Sequence, residues 1–484
     1  MGIVIRQSFK NTISTYLGFG IGAINTLFLY TYFLSDTYYG LVGFILSTAN
    51  IMLPFMAFGV HNALIKFYSK YKTKNSLNSF LTLMLFLPLL IIIPTGIIGV
   101  FCYEMIASVL ASENAIIYDY VWYIFIVAIS MAYFEVFFAW SKTQLKTVYG
   151  NTMKEVFHRA CVTLLLVAVY FDVLTVQQFI TALVLVYVAR MLLMMAYAFS
   201  VRLPVLKFYK LDDLSSIIKY ALLIIVAGSV AMFILDIDKF MIGQMLKIEN
   251  VAYYNVAIFI ATVIAVPHRA MHQIMMPLTA QFLNGNQNDD LKDLYQRSSI
   301  NLLVLGGLIF LLIVLNINEL YALLQEQFRG GVFVVFIIGL AKLFDSSLGN
   351  NNAILFNSDY YRMVLVFGVV LAIMAVVLNI LLIPIYGLEG SALATFLALV
   401  FYNIIKLVFV NRKFRMQPYS RKSLQVIGII GLLIASFYYL EFPFHPILNI
   451  ILKSLLLVVI YLVLIYRFNL SEDLKLQMKK YLEL

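Results

Sequence analysis

The sequence is poor in charged residues and has almost no cysteine. Only 12% of its 484 residues are Asp, Glu, Lys or Arg, whereas about 25% is usual in a soluble domain. The two cysteines, Cys102 and Cys161, lie in separate apolar runs without metal-ligand spacing, which excludes a disulfide framework. Because 63% of the residues are hydrophobic, the chain is expected to be a polytopic membrane protein.

Long polar segments are also absent, so no soluble domain is expected. Apolar runs recur along the whole chain at the length of about twenty residues that crosses a bilayer as a helix. Unbroken runs of this length can span a membrane only as a helix bundle. The predicted fold class is therefore all-α integral membrane, with about fourteen transmembrane helices. The predicted segments are 12–34, 39–64, 79–101, 116–140, 151–171, 176–200, 217–239, 251–278, 298–317, 332–355, 361–384, 388–410, 423–441 and 447–466.

Lys and Arg are distributed unevenly over the predicted loops. With the N-terminus in the cytoplasm, 23 of them fall on the inner side and only Lys247 and Arg329 fall in the opposite loops. Such a bias sets the orientation of membrane helices. Both termini are therefore predicted to be cytoplasmic, with the first helix as an uncleaved anchor. The same bias accounts for most of the net charge of +10, so no nucleic-acid partner is expected.

A faint internal repeat divides the helices into two halves. The tyrosine pair 38–39 corresponds to the pair 253–254, and a proline follows each pair, at Pro54 and Pro267. The alternative is that Tyr and Pro are simply common in membrane helices. Repeats of this kind place a substrate site between the halves near the midplane. The prediction is two pseudo-symmetric six-helix lobes plus two C-terminal helices: an N-lobe at 1–204, a C-lobe at 205–415, and the last two helices with a cytoplasmic tail at 416–484.

Ionisable residues inside the apolar segments are the candidate functional residues. A charge at the middle of a membrane helix costs about 2.5 to 3.5 kcal/mol on insertion scales, so such residues usually face a cavity or a partner. Cations exceed acids among them, which suits a diphosphate, whose oxygens Arg binds with paired hydrogen bonds. The candidate cationic lining comprises Arg269, Lys239, His268, His272, Arg159, Arg190, His61 and Lys342. The candidates for ion coupling are Asp236, Asp238, Asp345 and Glu135.

Some of these charges are expected to neutralise one another. Lys342 and Asp345 are three residues apart and can pair on one helix face. Asp238 and Lys239 are adjacent and point about 100° apart, so pairing with other helices is favoured over pairing with each other.

Contact with lipid head groups is the alternative for several cations. It is the favoured interpretation for Lys219, Lys406 and Lys453, whose amines would reach the membrane surface along their alkyl stems. For Arg159 and Arg190 the cavity and the head groups remain equally open.

Arg269 is the strongest candidate, because it lies on the polar side of a proline-bent helix with His268 and His272 as neighbours. The two histidines have the i, i+4 spacing of zinc ligands, but the accompanying Glu is missing and Arg269 opposes a dication, so no metal site is predicted. No cofactor is expected. The glycines at positions 18, 20 and 22 are not a phosphate loop, since no strand precedes them, and are predicted to permit close helix packing.

Three stretches resemble a known family. Asp238–Gly243 (DKFMIG) and Val251–Ala257 (VAYYNVA) together resemble the seventh-to-eighth helix pattern of Wzx-like oligosaccharide flippases, which belong to the multidrug/oligosaccharidyl-lipid/polysaccharide (MOP) superfamily. Tyr386–Thr395 (YGLEGSALAT) is similar to the entry of that family's helix twelve. Asp36–Gly40 (DTYYG) resembles the loop that opens its second helix.

The resemblance implies a MATE-like MOP fold and a transporter rather than an enzyme. The implied activity is flipping of an undecaprenyl-diphosphate-linked oligosaccharide from the cytoplasmic to the periplasmic leaflet by alternating access, for O-antigen, capsule or exopolysaccharide synthesis. The implied location is the bacterial inner membrane, and the implied partners are the lipid-linked substrate, membrane lipids, and a polysaccharide polymerase with its chain-length machinery.

Two alternatives remain open at this point. A MATE-type multidrug exporter of cationic compounds is expected to carry an unpaired carboxylate for ion coupling, whereas the first helix here is uncharged and the excess elsewhere is cationic. A polytopic polysaccharide polymerase or ligase is expected to need a long outer loop or a buried His/Asp constellation, whereas the predicted outer loops are short.

Overall fold

The structure is a computed structural model that describes residues 2–211 and 213–475, without the side chains of residues 2–6, 8, 9, 226–235 and 273. The described chain is 85% helical and contains no strand, which confirms the predicted all-α class. The end of the predicted cytoplasmic tail, residues 476–484, lies outside the described residues.

Contacts group the chain into two compact units, residues 1–255 and 256–484. The division at 204 and 415, which follows the sequence repeat, stays a prediction. The first unit contains π-helical turns at Asn25–Leu29 and Met153–Phe157 and 3-10 turns at Tyr68–Lys70 and Ala115–Tyr120. Its α-helices are α1 (Gly2–Ile24), α2 (Tyr30–Phe33), α3 (Asp36–Met56), α4 (Val60–Phe67), α5 (Lys74–Phe86), α6 (Leu89–Phe101), α7 (Tyr103–Leu110), α8 (Val121–Thr143), α9 (Val148–Thr152), α10 (His158–Tyr170), α11 (Val176–Val201), α12 (Leu214–Met245) and the first half of α13 (Glu249–Thr262).

The second unit begins within α13 and continues through 3-10 turns at Val263–Ala265 and Glu326–Gly331. Its remaining helices are α14 (Val266–Asn284), α15 (Asn288–Val314), α16 (Ile317–Ala322), α17 (Val332–Ser347), α18 (Asn351–Asn357), α19 (Tyr361–Phe414), α20 (Arg421–Phe437) and α21 (Pro446–Arg467).

The described residues contain ten helices that are long and apolar enough to cross a membrane. Helix α19 counts once although Gly387 (φ 57, ψ −131) breaks it in a conformation that favours glycine. Three more predicted segments are not among the ten. Helix α20 has only 17 residues, and the segment of α9 and α10 carries four ionisable side chains between residues 154 and 159. Helix α12 is described only in part. The total of fourteen stays a prediction.

The central helices of the two units are α8 and α15. Helix α8 packs between α3, α4 and α11, and its Trp140 is fully buried with Nε1 donating to the carbonyl of Arg202 at 3.1 Å. Helix α15 packs against α17, α20 and α21, and Tyr461 of α21 donates to the carbonyl of Val304 at 2.9 Å. The last two helices therefore complete the core of the second unit.

Both tyrosine pairs of the predicted repeat occupy matching places. Tyr39 and Tyr254, the second member of each pair, are buried and donate to the preceding long helix: Tyr39 to the carbonyl of Thr26 at 3.2 Å and Tyr254 to Asp238 at 2.5 Å. A backbone break follows in each helix, at left-handed Gly59 after α3 and at the 3-10 turn before α14.

Loops predicted to share a membrane side lie together in the first unit. At one end, Lys70 pairs with Asp213 at 2.6 Å. At the other end, Tyr253 donates to Asp36 at 2.8 Å and Asn114 donates to the carbonyl of Leu246 at 2.8 Å. The grouping agrees with the alternation predicted from Lys and Arg.

Candidate functional site

A π-helical turn of the first unit, Met153–Phe157, lies unusually close to α1. A Cβ added to Gly18 would lie 2.3 Å from the carbonyl oxygen of Glu155, and one added to Gly22 would lie 3.4 Å from Cδ of Arg159. The backbone of Glu155 leaves no room for a Cβ at Gly18, which confirms the predicted packing role there. At Gly22 the nearest atoms belong to the flexible Arg159 side chain at ordinary contact distance, so this position does not require glycine. Nothing lies within 4 Å of the corresponding point at Gly20, so the prediction was wrong there.

Asn25 fixes the backbone where this turn joins α10. Its Nδ2 donates to the carbonyl of Arg159 at 2.9 Å, and its Oδ1 accepts from Thr163 Oγ1 at 2.7 Å. Asn25 itself opens the second π-helical turn. A π-helical turn disturbs the regular backbone ladder and is frequent at functional sites, and the hydrogen bond from Asn25 holds the backbone of Arg159 next to such a turn. No simple sequence pattern signals them.

Six ionisable side chains of the first unit, which we call the N-unit cluster, are linked by contacts and electrostatic interactions. Lys154 pairs with Glu135 at 2.6 Å and Arg159 with Glu155 at 3.5 Å. Lys142 lies 3.8 Å from the ring centroid of Phe138. Four cations face two carboxylates, so the net charge is +2. The members are Glu135, Lys142, Lys154, Glu155, Arg159 and Arg190.

Arg190 of α11 is the deepest cation of the N-unit cluster. It is 6% exposed, and its guanidinium carbon lies 4.5 Å from the ring centroid of Phe134 and 4.7 Å from that of Tyr187. Its Nε is buried without a hydrogen-bond partner, and no carboxylate of the described residues lies within the 4.0 Å of an ion pair. Glu135 and Glu155 act on it only through longer-range interactions. A buried cation without a counter-ion is costly, and an anionic ligand that reached Arg190 would lower that cost.

Two histidines border the N-unit cluster. His61, predicted from sequence, interacts electrostatically with Glu135, Lys142 and Lys154. His158 was missed by the sequence reasoning, although it precedes Arg159 directly; its ring lies 5.9 Å from that of Tyr187.

The acids at the end of α12 are both engaged. Asp236 pairs with Lys239 at 3.3 Å on the same helix, and Asp238 accepts from Tyr254 of α13. Asp238 and Lys239 do not pair with each other, as predicted. The expectation that Lys239 finds its partner on another helix was wrong, because three residues separate it from a carboxylate on its own face.

In the second unit, Asp345 of α17 interacts with three of the basic residues discussed above. Lys406 Nζ lies 3.7 Å from one carboxylate oxygen and His268 Nδ1 lies 4.0 Å from the other. Lys342 also interacts with Asp345 electrostatically. Lys406 Nζ donates further to Asn352 Oδ1 at 3.0 Å.

The prediction that lysine amines reach the head groups was wrong for two of the three lysines. Lys406 is 0% exposed and Lys453 is 2% exposed, and Lys453 pairs with Glu319 at 3.4 Å. Lys219 is exposed, and its contact with head groups stays a prediction. The difference arises because each buried lysine meets a carboxylate that is distant in sequence, which the sequence pattern alone cannot show.

Arg269 and its histidine neighbours occupy different faces of α14. His268 is largely buried, with its side chain 14% exposed, and its ring lies 6.3 Å from that of His272. Arg269, one residue on, is exposed and forms no ion pair within the part of the chain that the structure describes. The sequence reasoning grouped the three residues on one polar side, but only the histidines share the packed face.

The comparisons with known proteins agree with this architecture. A family model described as "Polysaccharide biosynthesis protein" matches residues 4–283. No curated protein matches the chain significantly. The fold is similar to that of the lipid II flippase MurJ in an inward closed conformation, with a TM-score of 0.72 and 13% identity over 96% of this chain and 100% of that one.

Two other solved structures are similar at lower scores. An inward-facing multidrug resistance MATE transporter of the MOP superfamily has a TM-score of 0.64 and 14% identity over 83% of this chain and 94% of that one. A MOP superfamily transporter from Pyrococcus furiosus, described as having a binding pocket of reverse polarity, has a TM-score of 0.50 and 13% identity over 86% and 93% of the two chains. The predicted MOP-type fold is confirmed.

Proposed function

The chain belongs to the polysaccharide biosynthesis protein family, and from this premise we propose that it flips a diphosphate-linked lipid oligosaccharide across the membrane by alternating access. The cargo is an undecaprenyl-diphosphate-linked glycan that moves from the cytoplasmic to the periplasmic leaflet of the bacterial inner membrane. Surface polysaccharide synthesis consumes the flipped glycan, with a polymerase and chain-length machinery acting next.

The observation that carries this proposal is the buried guanidinium of Arg190 within a cluster of net charge +2. Arg presents a planar fork of donors that matches two phosphate oxygens, and hydrogen bonds between charged groups are roughly twice as strong as neutral ones. A diphosphate would supply the counter-charge that Arg190 lacks. Arg269 of the second unit, exposed and without an ion pair in the described chain, is proposed separately as a phosphate ligand of that unit.

The carboxylates do not favour export of a cation. Glu135, Asp236 and Asp345 each lie within 4.0 Å of a cation, and Asp238 accepts a hydrogen bond from Tyr254. An exporter of cationic compounds needs a carboxylate available to the cargo or to the coupling ion. Ion coupling through one of the four acids would require an existing partner to leave.

Direction can come from the membrane potential. With the inside negative, moving a negative charge outward is favoured by about 2.3 kcal/mol per charge per 100 mV. The membrane potential therefore lowers the free energy of a diphosphate headgroup as it moves in the proposed direction.

The experiment that tests the proposal uses proteoliposomes containing the purified chain. We expect movement of a fluorescent undecaprenyl-diphosphate glycan between leaflets, accelerated by an inside-negative potential, and no movement of a cationic dye. Dye export with a motionless lipid would assign the chain to the multidrug exporters instead.

Arg269→Ala gives a residue-level test in a flippase-null strain. We expect loss of complementation at normal membrane abundance, and partial activity for Arg269→Lys, which keeps the charge without the fork. The matched control is Arg412→Ala, which removes an exposed cation from the end of α19. Normal surface glycan with Arg269→Ala would remove Arg269 from the site.

A further inference from the structure

An open pocket of ≈ 500 Å³ lies in the second unit. Three segments that are distant in sequence bring a charged residue each to its wall: Arg329, Glu389 and Glu441. Phe333 and Tyr438 add aromatic rings, and Tyr438 is 60% exposed. The volume lies within the roughly 300–1,000 Å³ of ordinary small-molecule sites.

The floor of the pocket is a buried ion pair. Lys453 of α21 lines the pocket but is only 2% exposed, and its Nζ lies 3.4 Å from Glu319 Oε1. Asn449, one turn earlier, donates to the same oxygen at 3.1 Å, while its own Oδ1 is buried without a hydrogen-bond partner. Apolar residues would fill this place at lower cost, so the polar floor indicates a ligand with hydrogen-bonding groups.

The charge of the pocket argues against a phosphate ligand. Of the charged lining residues, Lys453 is neutralised by Glu319 behind it, and Arg329 pairs with Glu326 at 3.7 Å. Since the floor pair is neutral, the rim carries two carboxylates against one paired guanidinium. Ionised carboxylates only accept hydrogen bonds, so the rim suits a ligand rich in hydroxyl donors.

We propose that this pocket binds a saccharide of the transported glycan. The hydroxyl groups of a sugar ring donate to Glu389 and Glu441 in charge-assisted hydrogen bonds, and its C–H face packs on the electron-rich face of Tyr438. The inference rests on the proposed function, since it assigns a second contact to the same cargo. It also gives the end of the chain a role, because α21 supplies Lys453 and the loop between α20 and α21 supplies Tyr438 and Glu441.

The pocket lies at the end of the second unit that the Lys and Arg bias predicts to be outside. Its charged rim comes from loops on that side, including the one that holds Arg329. The opposite end carries inner-side pairs such as Lys422 with Glu472 at 3.1 Å. A saccharide bound there is one that has reached the outer leaflet, so the pocket would retain the glycan after transfer.

Isothermal titration calorimetry with the full chain in phosphatidylcholine nanodiscs tests this inference. The probe is the soluble oligosaccharide released by mild acid from the lipid-linked glycan of the host, which carries no diphosphate. We expect Glu441→Gln to weaken binding about tenfold, the value of one charge-assisted hydrogen bond. Tyr438→Ala is expected to weaken it up to about tenfold through lost ring packing.

Two control variants match these changes outside the pocket. Glu104→Gln neutralises an exposed carboxylate on the first unit, and Tyr439→Ala removes a neighbouring ring that is 87% exposed and does not line the pocket. Both are expected to bind the oligosaccharide like the unaltered chain. Equal affinity of Glu441→Gln, Tyr438→Ala and the unaltered chain would overturn the inference.

A lipid head group is the competing occupant. Loss of oligosaccharide binding when phosphatidylethanolamine replaces phosphatidylcholine in the nanodiscs would assign the pocket to lipid and overturn the inference. Failure of the pocket remains distinguishable from failure of the proposed function. The flipping assay reports on diphosphate transfer, whereas the soluble oligosaccharide reports only on the pocket.

Discussion

Arg190→Met is expected to raise the stability of the substrate-free protein while abolishing transport. The guanidinium is 6% exposed and has no ion-pair partner in the described chain. Burying a charge costs several kcal/mol even after relaxation, whereas each of the two cation–π contacts stabilises the folded state by about 0.5 to 2 kcal/mol. Methionine fills a similar volume without that cost, so a net stabilisation of about 1 to 3 kcal/mol is expected.

The same substitution removes the two hydrogen bonds to phosphate oxygens that we propose for Arg190. Each is worth about 1.5 kcal/mol or more when charged, so the affinity for the diphosphate lipid should fall about 100-fold or further. Thermal unfolding in detergent measures the first effect, and flipping in proteoliposomes measures the second. Arg202→Met is the matched control, because Arg202 donates to Tyr68 at 2.7 Å and its loss should lower stability. A less stable Arg190→Met protein that flips normally would refute the reasoning.

Two further predictions concern the contacts that hold the N-unit cluster in place. Lys154→Met removes the partner of the buried Glu135 at 2.6 Å. Because the Lys154 side chain is 39% exposed, the free energy of unfolding should fall by about 1 to 3 kcal/mol. Adding Glu135→Gln should restore most of that loss, and a double variant as unstable as the single one would exclude the pair as the cause. Gly18→Ala should lower the melting temperature and the flipping rate, because its Cβ would lie 2.3 Å from the backbone of Glu155. The control variant Gly20→Ala should change neither quantity. Equal behaviour of the two variants would contradict the close packing of α1 at Gly18.

The helical class and the approximate positions of the ten long apolar helices could be predicted from the sequence, because unbroken apolar runs leave the backbone one way to cross a bilayer. The break at Gly387 also fell between two predicted segments, 361–384 and 388–410. Helix ends and loops on each side of the first unit meet as the Lys and Arg bias requires, since Lys70 reaches Asp213 and Tyr253 reaches Asp36.

The partners of the buried charges could not be predicted. Lys406 and Lys453 find carboxylates 61 and 134 residues away in sequence, and such contacts depend on tertiary packing rather than on spacing. The π-helical turn that positions Arg159 has no pattern of its own. The unpaired state of Arg190 depends on which side chains reach it, so composition indicated an excess of positive charge without showing where it lies.

The most direct measurement is the affinity of the purified chain for two forms of one glycan, linked to undecaprenyl diphosphate or to undecaprenol without phosphate. Native mass spectrometry in detergent can compare the two at equal concentration. The account predicts at least a 100-fold preference for the diphosphate form, and loss of most of that preference in Arg190→Met. Equal binding of both forms would contradict the claim that buried positive charge receives the cargo.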